Sequence, residues 1–199
     1  MKRRIFTSLA ATAAVAASIL ISSGAAEAAP EATPSLSATN SSAQTGGVTP
    51  NESLPDGIKV KPEENLKIVA TFRGVGKQVY DCDATTKTYP AKSREPVAGL
   101  FTSRGIPVGI HGKGPFWADF DGSHVDGSAP IAADSTDKLK NVPWLRLTGT
   151  PTAGTGVLSN VVVIQRIDTR GGVAPTGTCT ASSTVAVDYT ANYVFWAKK

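Results

Sequence analysis

Past Leu54-Pro55-Asp56-Gly57 the chain alternates apolar and polar residues with period two. Ile68, Ala70 and Phe72 face one way, while Lys67, Thr71 and Arg73 belong to the polar set. Similar stretches recur at Gln78–Cys82, Val97–Thr102, Ile106–His111, Pro115–Val125, Trp144–Thr148, Val161–Ile167 and Thr184–Trp196, most of them separated by Gly, Pro, Asn or Asp clusters. No segment carries an apolar stripe at helical spacing, and no internal repeat is visible. Short strands with frequent turns predict an all-β chain: an antiparallel β-sandwich or barrel-like single domain over residues 55–199.

Within that pattern Asp121-Gly122 reads as a two-residue hairpin turn, because a type I′ turn needs positive φ at both central positions. That register opposes Phe120 to Ser123, Asp119 to His124, Ala118 to Val125 and Trp117 to Asp126. Alternation then places Phe116, Ala118, Phe120 and Val125 on an inward face. Trp117, Asp119, His124 and Asp126 fall on the other face. In the preceding strand Ile106, Val108 and Ile110 point inward and His111 outward. Both histidines of the chain thus lie near two carboxylates. Asp119 opposite His124 forms an acid–base dyad, or, with His111, a His/His/Asp set for a single divalent metal such as zinc. A solvated sheet face explains the same residues without any chemistry.

The ends of the chain carry a different message. Residues 1–28 have a basic start at Lys2, Arg3 and Arg4, an uncharged run from Ile5 to Ser23, and small residues at Ala26 and Ala28. This is the pattern of a cleaved secretory signal peptide. A membrane anchor is the rival reading, but the run is built from Ala, Ser and Thr, and no basic stop-transfer cluster follows it. No stable membrane span is therefore expected after cleavage. The Arg3-Arg4-Ile5-Phe6 start also resembles a twin-arginine signal, with the general secretory route as the default. Residues 29–54, rich in Ala, Ser, Thr and Pro and without an aromatic side chain, read as a flexible tether. The product is expected to be secreted, extracellular or associated with the cell wall.

Cleavage changes the charge. It removes Lys2, Arg3, Arg4 and Glu27, so the net charge falls from +4 to +2. No Lys/Arg run remains that tracks a phosphate backbone, which argues against nucleic-acid binding. Cys82 and Cys179 are the only cysteines. An even pair in an exported chain, without a CxxC motif, predicts one disulfide. Enzyme signatures are sparse: there is no GxSxG elbow, and Arg73-Gly74-Val75-Gly76 lacks the third glycine and the helix of a dinucleotide loop. No cofactor is predicted. Trp117, Trp144 and Trp196 offer stacking surface for sugars, or simply core packing.

Several segments resemble one known family. They are Val75-Gly76-Lys77-Gln78-Val79-Tyr80-Asp81-Cys82, Val108-Gly109-Ile110-His111, and Gly114-Pro115-Phe116-Trp117 running into Asp121-Gly122-Ser123. Pro143-Trp144-Leu145 follows, then Ile164-Gln165-Arg166-Ile167-Asp168-Thr169 with Gly171-Gly172-Val173-Ala174-Pro175 and Cys179, and finally Tyr189-Thr190-Ala191-Asn192-Tyr193 with Phe195. In this order they resemble the DUF3455 group of exported bacterial and fungal proteins of unassigned function. The resemblance spans about residues 55–199 and implies secretion and the cysteine pair, but no reaction. It is carried at His111, Trp117, Trp144, Gln165 and Arg166 and not at Asp119 or His124, which favours the first five as a shared site. Gln165 and Arg166 point to opposite faces of one strand, so at least one is structural, and an Arg166–Asp168 pair is the plain alternative.

Two functions fit these residues. The first is a secreted, non-enzymatic binding or cell-surface protein contacting a cell-wall glycan or another envelope component through Trp117 and its polar neighbours. The second is a metal-assisted or acid–base secreted enzyme using His111, Asp119 and His124. A coat protein that binds nothing is the third reading.

Overall fold

Alternating strands fill most of residues 47–199, the part of the chain that the computed structural model describes. The expected signal segment 1–28 and the first part of the expected tether lie outside those described residues. The strands are β1 (Leu66–Asp81), β2 (Glu95–Phe101), β3 (Pro107–Gly112), β4 (Phe116–Asp119), β5 (His124–Ala133), β6 (Trp144–Ala153), β7 (Val161–Gly171) and β8 (Thr184–Lys198). Each pairs antiparallel with the next, and β8 returns to pair with β1 from Leu66↔Lys198 to Asp81↔Thr184. The result is a closed up-and-down barrel of eight strands, which leaves no open sheet edge. Of the two architectures expected, the barrel is realised and the sandwich is not, because one sheet closes on itself instead of two facing each other. A barrel of this strand number has an interior just wide enough to be filled by side chains or to hold one small ligand.

Two apolar clusters lie on opposite sides of the barrel wall. The inner one gathers Phe72, Leu100, Trp117, Val125, Ile164 and Phe195 among others. The outer one joins Leu66, Trp144, Val163, Ile167, Val194 and Trp196 to Leu54, Ile58 and Val60 from the segment ahead of β1. Bulges decide which residue goes where. Val161 belongs to the inner cluster and Val163 to the outer, although they are two apart, because the β7–β8 register shifts between them. A second shift between Ile68 and Ala70 turns Ile68 outward, where it is 54% exposed, against the alternation read from the sequence. Gly76 allows β1 and β2 to approach closely: a Cβ there would sit 2.2 Å from the Val97 carbonyl oxygen. Lys67, Arg73 and Lys77 of β1 face solvent, opposite to the apolar exterior of a membrane barrel. No helix among the described residues is long and apolar enough to cross a membrane.

Residues 49–64 form a strap over the outer cluster, so the last part of the expected tether is packed. The apolar signal of Leu54, Ile58 and Val60 is short, but polar side chains secure it. Asn51 donates to the Val60 carbonyl at 2.7 Å and accepts from the Val60 amide at 2.9 Å. Gln165 donates to the Ile58 carbonyl at 2.7 Å and to Asn51 at 3.2 Å, and it accepts from Trp196 Nε1 at 2.8 Å. Arg146 adds an ion pair to Glu64 and donates to the Lys59 carbonyl. Replacing Gln165 with Leu therefore leaves the Trp196 N–H and the Ile58 carbonyl buried without partners. The expected cost is about 2–3 kcal/mol, together with faster proteolysis within residues 49–64. Unchanged urea midpoint and cleavage rate would show that the strap holds without this hub.

Candidate functional site

At the end of the barrel where β1 finishes and β2 begins, the inner wall changes from apolar to polar. Inward positions of β1 carry Gln78 and Tyr80, β3 carries His111, β4 carries Trp117, β7 carries Arg166, and β8 carries Tyr189. These side chains lie above the apolar floor. Beside Gln78, His111, Trp117 and Arg166 opens a cavity of about 380 Å³, walled also by Leu145, Leu147 and Pro96. That is the size of a small-molecule pocket. The segment before β2, including the 3₁₀ turn Ala91–Ser93, brings Lys92 and Arg94 to the mouth, and Lys113 from the β3–β4 turn pairs there with Glu95.

The cavity wall holds polar atoms without a well-formed hydrogen bond. Gln78 is completely buried, and neither its Nε2 nor its Oε1 has a partner at full hydrogen-bond distance and angle, although the Tyr189 hydroxyl is close enough to act on the amide. The indole Nε1 of Trp117 is likewise buried and unpaired. Among the described residues the other such side-chain atom is Trp144 Nε1, in the outer cluster. His111 stacks on Trp117 with ring centroids 4.4 Å apart and meets the edge of Tyr193 at 4.9 Å. Its Nδ1 lies 2.7 Å from the Phe116 carbonyl, which only accepts, so Nδ1 carries the proton and Nε2 keeps a free lone pair. Burial drives the imidazole pKa down to about 3, so the ring is neutral.

Arg166 is 5% exposed and donates Nε and Nη2 to the Pro143 carbonyl, at 3.3 and 2.8 Å. No described carboxylate pairs with it, and the expected Arg166–Asp168 pair does not form. Asp168, with φ at 52° beside a bulge, instead accepts from Thr49 and Asn192. Burial weighs against the charged guanidinium, Tyr193 favours it, and the charge of Arg94 opposes it. The tyrosines beside it are held protonated by burial, with Tyr189 and Tyr193 hydroxyls 2.9 Å apart and Tyr80 donating to the Gly172 carbonyl.

The structure thus brings His111, Trp117 and Arg166 together and sends the remaining sequence candidates elsewhere. The cause is a hairpin one residue longer than read. Asp119 N donates to Ser123 O, so Phe120-Asp121-Gly122 form a three-residue loop, with φ at 91° for Gly122. Trp117 then opposes Val125, and Ala118 opposes His124. That one-residue slip turns Trp117 inward and leaves Phe120 68% exposed. His111 points inward and Ile110 outward, the reverse of the sequence reading. His124 sits on the outer wall, stacked on Phe116 and 3.0 Å from Asp126, not opposite Asp119. Asp119 instead accepts from the Asp121 amide within the loop. The two histidines therefore occupy opposite faces of the wall, and no cluster of metal-ligating side chains occurs among the described residues. Trp144 lies under the strap and Gln165 is its hub. Asp121 ties the loop to the chain at Val157, and Ser123 ties it at Leu158, so this motif is structural. Sequence reasoning missed Gln78 and Arg94 as site residues. A glutamine at an inward position between Gly76 and Tyr80 was the available signal.

A family model described as a protein of unknown function, DUF3455, matches residues 62–197. No curated protein and no solved structure matches the chain.

Proposed function

We propose that this chain, which belongs to the DUF3455 family, is an exported binding protein that takes a small organic molecule into the mouth of its barrel. The carrying observation is Gln78: a buried amide beside a solvent-open cavity, with neither polar atom in a well-formed hydrogen bond and the Tyr189 hydroxyl as its polar neighbour. Such a group costs about 1–3 kcal/mol unless something else satisfies it, and a ligand is the natural partner. Export fits the disulfide and the signal-like start. An envelope-derived fragment fits the cavity better than a glycan polymer. Trp117 is only 1% exposed, and Trp144 and Trp196 lie under the strap, so none offers an open stacking platform. Binding is favoured over acid–base catalysis because His111, Asp119 and His124 do not converge, and an imidazole with a pKa of about 3 is a weak base.

Gln78→Leu separates binding from structure. Removing this poorly paired amide stabilises the free protein by about 1–2 kcal/mol, while ligands found by NMR screening of small metabolites lose at least tenfold in affinity. A fall in melting temperature would show that Gln78 serves the fold. A screen without a single cavity-dependent ligand would count against the binding reading itself.

A further inference from the structure

We infer that the occupant is an organic carboxylate with an apolar body and one hydrogen-bond donor of its own, anchored on Arg166; this rests on the binding reading above. The cavity is lined by four cations, Lys92, Arg94, Lys113 and Arg166, against one carboxylate, Glu95, which is already paired with Lys113. The deepest of these cations, Arg166, is nearly sealed from water, with the Pro143 carbonyl and the tyrosine hydroxyls beside it and the charge of Arg94 against it. A buried guanidinium without an anion is costly, and its Nη1 makes no hydrogen bond among the described residues. An entering carboxylate supplies the missing charge, in a low-dielectric funnel whose mouth already attracts anions.

The remaining wall atoms narrow the choice. Trp117 Nε1 and one end of the Gln78 amide are donors just behind the cavity surface, and they suit carboxylate oxygens once a ligand parts the wall. His111 Nε2 and the other end of the Gln78 amide only accept, and they suit a ligand hydroxyl or N–H. A phosphate, which presents acceptor oxygens on every side, would face these lone pairs. Leu145, Leu147 and Pro96 are matched by a hydrocarbon or aromatic body.

The test is calorimetric titration of the mature protein with 4-hydroxybenzoate, benzoate, 4-hydroxybenzamide and phenyl phosphate. We expect 4-hydroxybenzoate to bind at least 30-fold more tightly than its amide and several-fold more tightly than benzoate. Arg166→Gln should erase the acid-over-amide preference. Arg166→Lys, which keeps the charge without the fork, should retain part of it. If the Arg166 variants do not fold, Arg94→Gln at the mouth should still narrow the ratio of acid to amide affinity. Equal affinity for acid and amide overturns the carboxylate inference and leaves the binding reading standing. A preference for phenyl phosphate also overturns it. If none of the four binds, compact aromatic carboxylates are excluded and this inference falls, while the broader metabolite screen decides the binding reading separately.

Discussion

Replacing Cys82 and Cys179 together with serine is expected to cost about 4–5 kcal/mol, lowering the melting temperature by roughly 10–15 °C. The bond joins positions 97 residues apart, with Cα atoms 5.9 Å from each other, and the intervening chain contains β2 to β7. In the folded protein the bridge adds little that the backbone lacks. β1 and β8 are already paired as far as Asp81↔Thr184. Just beyond, Cys82 N donates to Ser183 O, Cys179 N donates to Lys87 O, and Tyr89 meets the Ser183 hydroxyl. The stabilisation therefore comes chiefly from the unfolded chain, which loses loop freedom when its ends are tied. Urea titration of the oxidised protein against the double variant measures it directly. A loss below about 1 kcal/mol would mean that the unfolded ensemble is already compact or that the bridge distorts the folded loops. Local consequences should follow. Residues 83–94 lead from the bridge to Lys92 and Arg94 at the cavity mouth, so their amides should exchange faster in the double variant than those of β7.

The fold class was legible because period-two alternation reports a wall with two unlike faces. Closure was not, because it depends on β1 meeting β8, and no local residue pattern encodes a pairing between strands so distant in the chain. The polarity of the faces was misread at β3 and β4 for a physical reason. Polar residues default to solvent, and a cavity inverts that rule: Gln78, His111 and Arg166 point into the barrel, while Val75, Val97 and Ile110 face outward and exposed. The hairpin misled independently. Asp-Gly favours a two-residue turn, but the hydrogen bonds of Asp121 to Ser123 and Val157 hold a longer loop, and one residue decides which side of the wall Trp117 occupies. His111, Trp117 and Arg166 were nameable from the sequence. Their convergence came only with the closed sheet.

That inversion gives His111 the second large expected effect, an acid-linked loss of stability. Its pKa is lowered by burial from an ordinary 6.5 to about 3. Between these values the unfolded chain takes up a proton that the folded chain refuses, so stability falls as pH drops below 6.5 and the loss is complete near 3. The slope approaches about 1.4 kcal/mol per pH unit, or roughly 4–5 kcal/mol over the whole span. Carboxylates such as Glu64, held low by Arg146, add their own loss at the acid end, so the interval from about pH 5 to 6.5 isolates the imidazole best. Over that interval the wild type should lose about 2 kcal/mol more than His111→Gln, with His124→Gln as the control on the outer wall. Parallel curves for wild type and His111→Gln would mean that water or an anion in the cavity lets the folded protein protonate His111. The same linkage ties stability to ligand. A ligand hydroxyl donating to His111 Nε2 holds the imidazole neutral, whereas a carboxylate nearby with no such donor favours imidazolium and raises the His111 pKa. Protein saturated with 4-hydroxybenzoate should therefore keep the steep acid slope, and protein saturated with benzoate should show a shallower one.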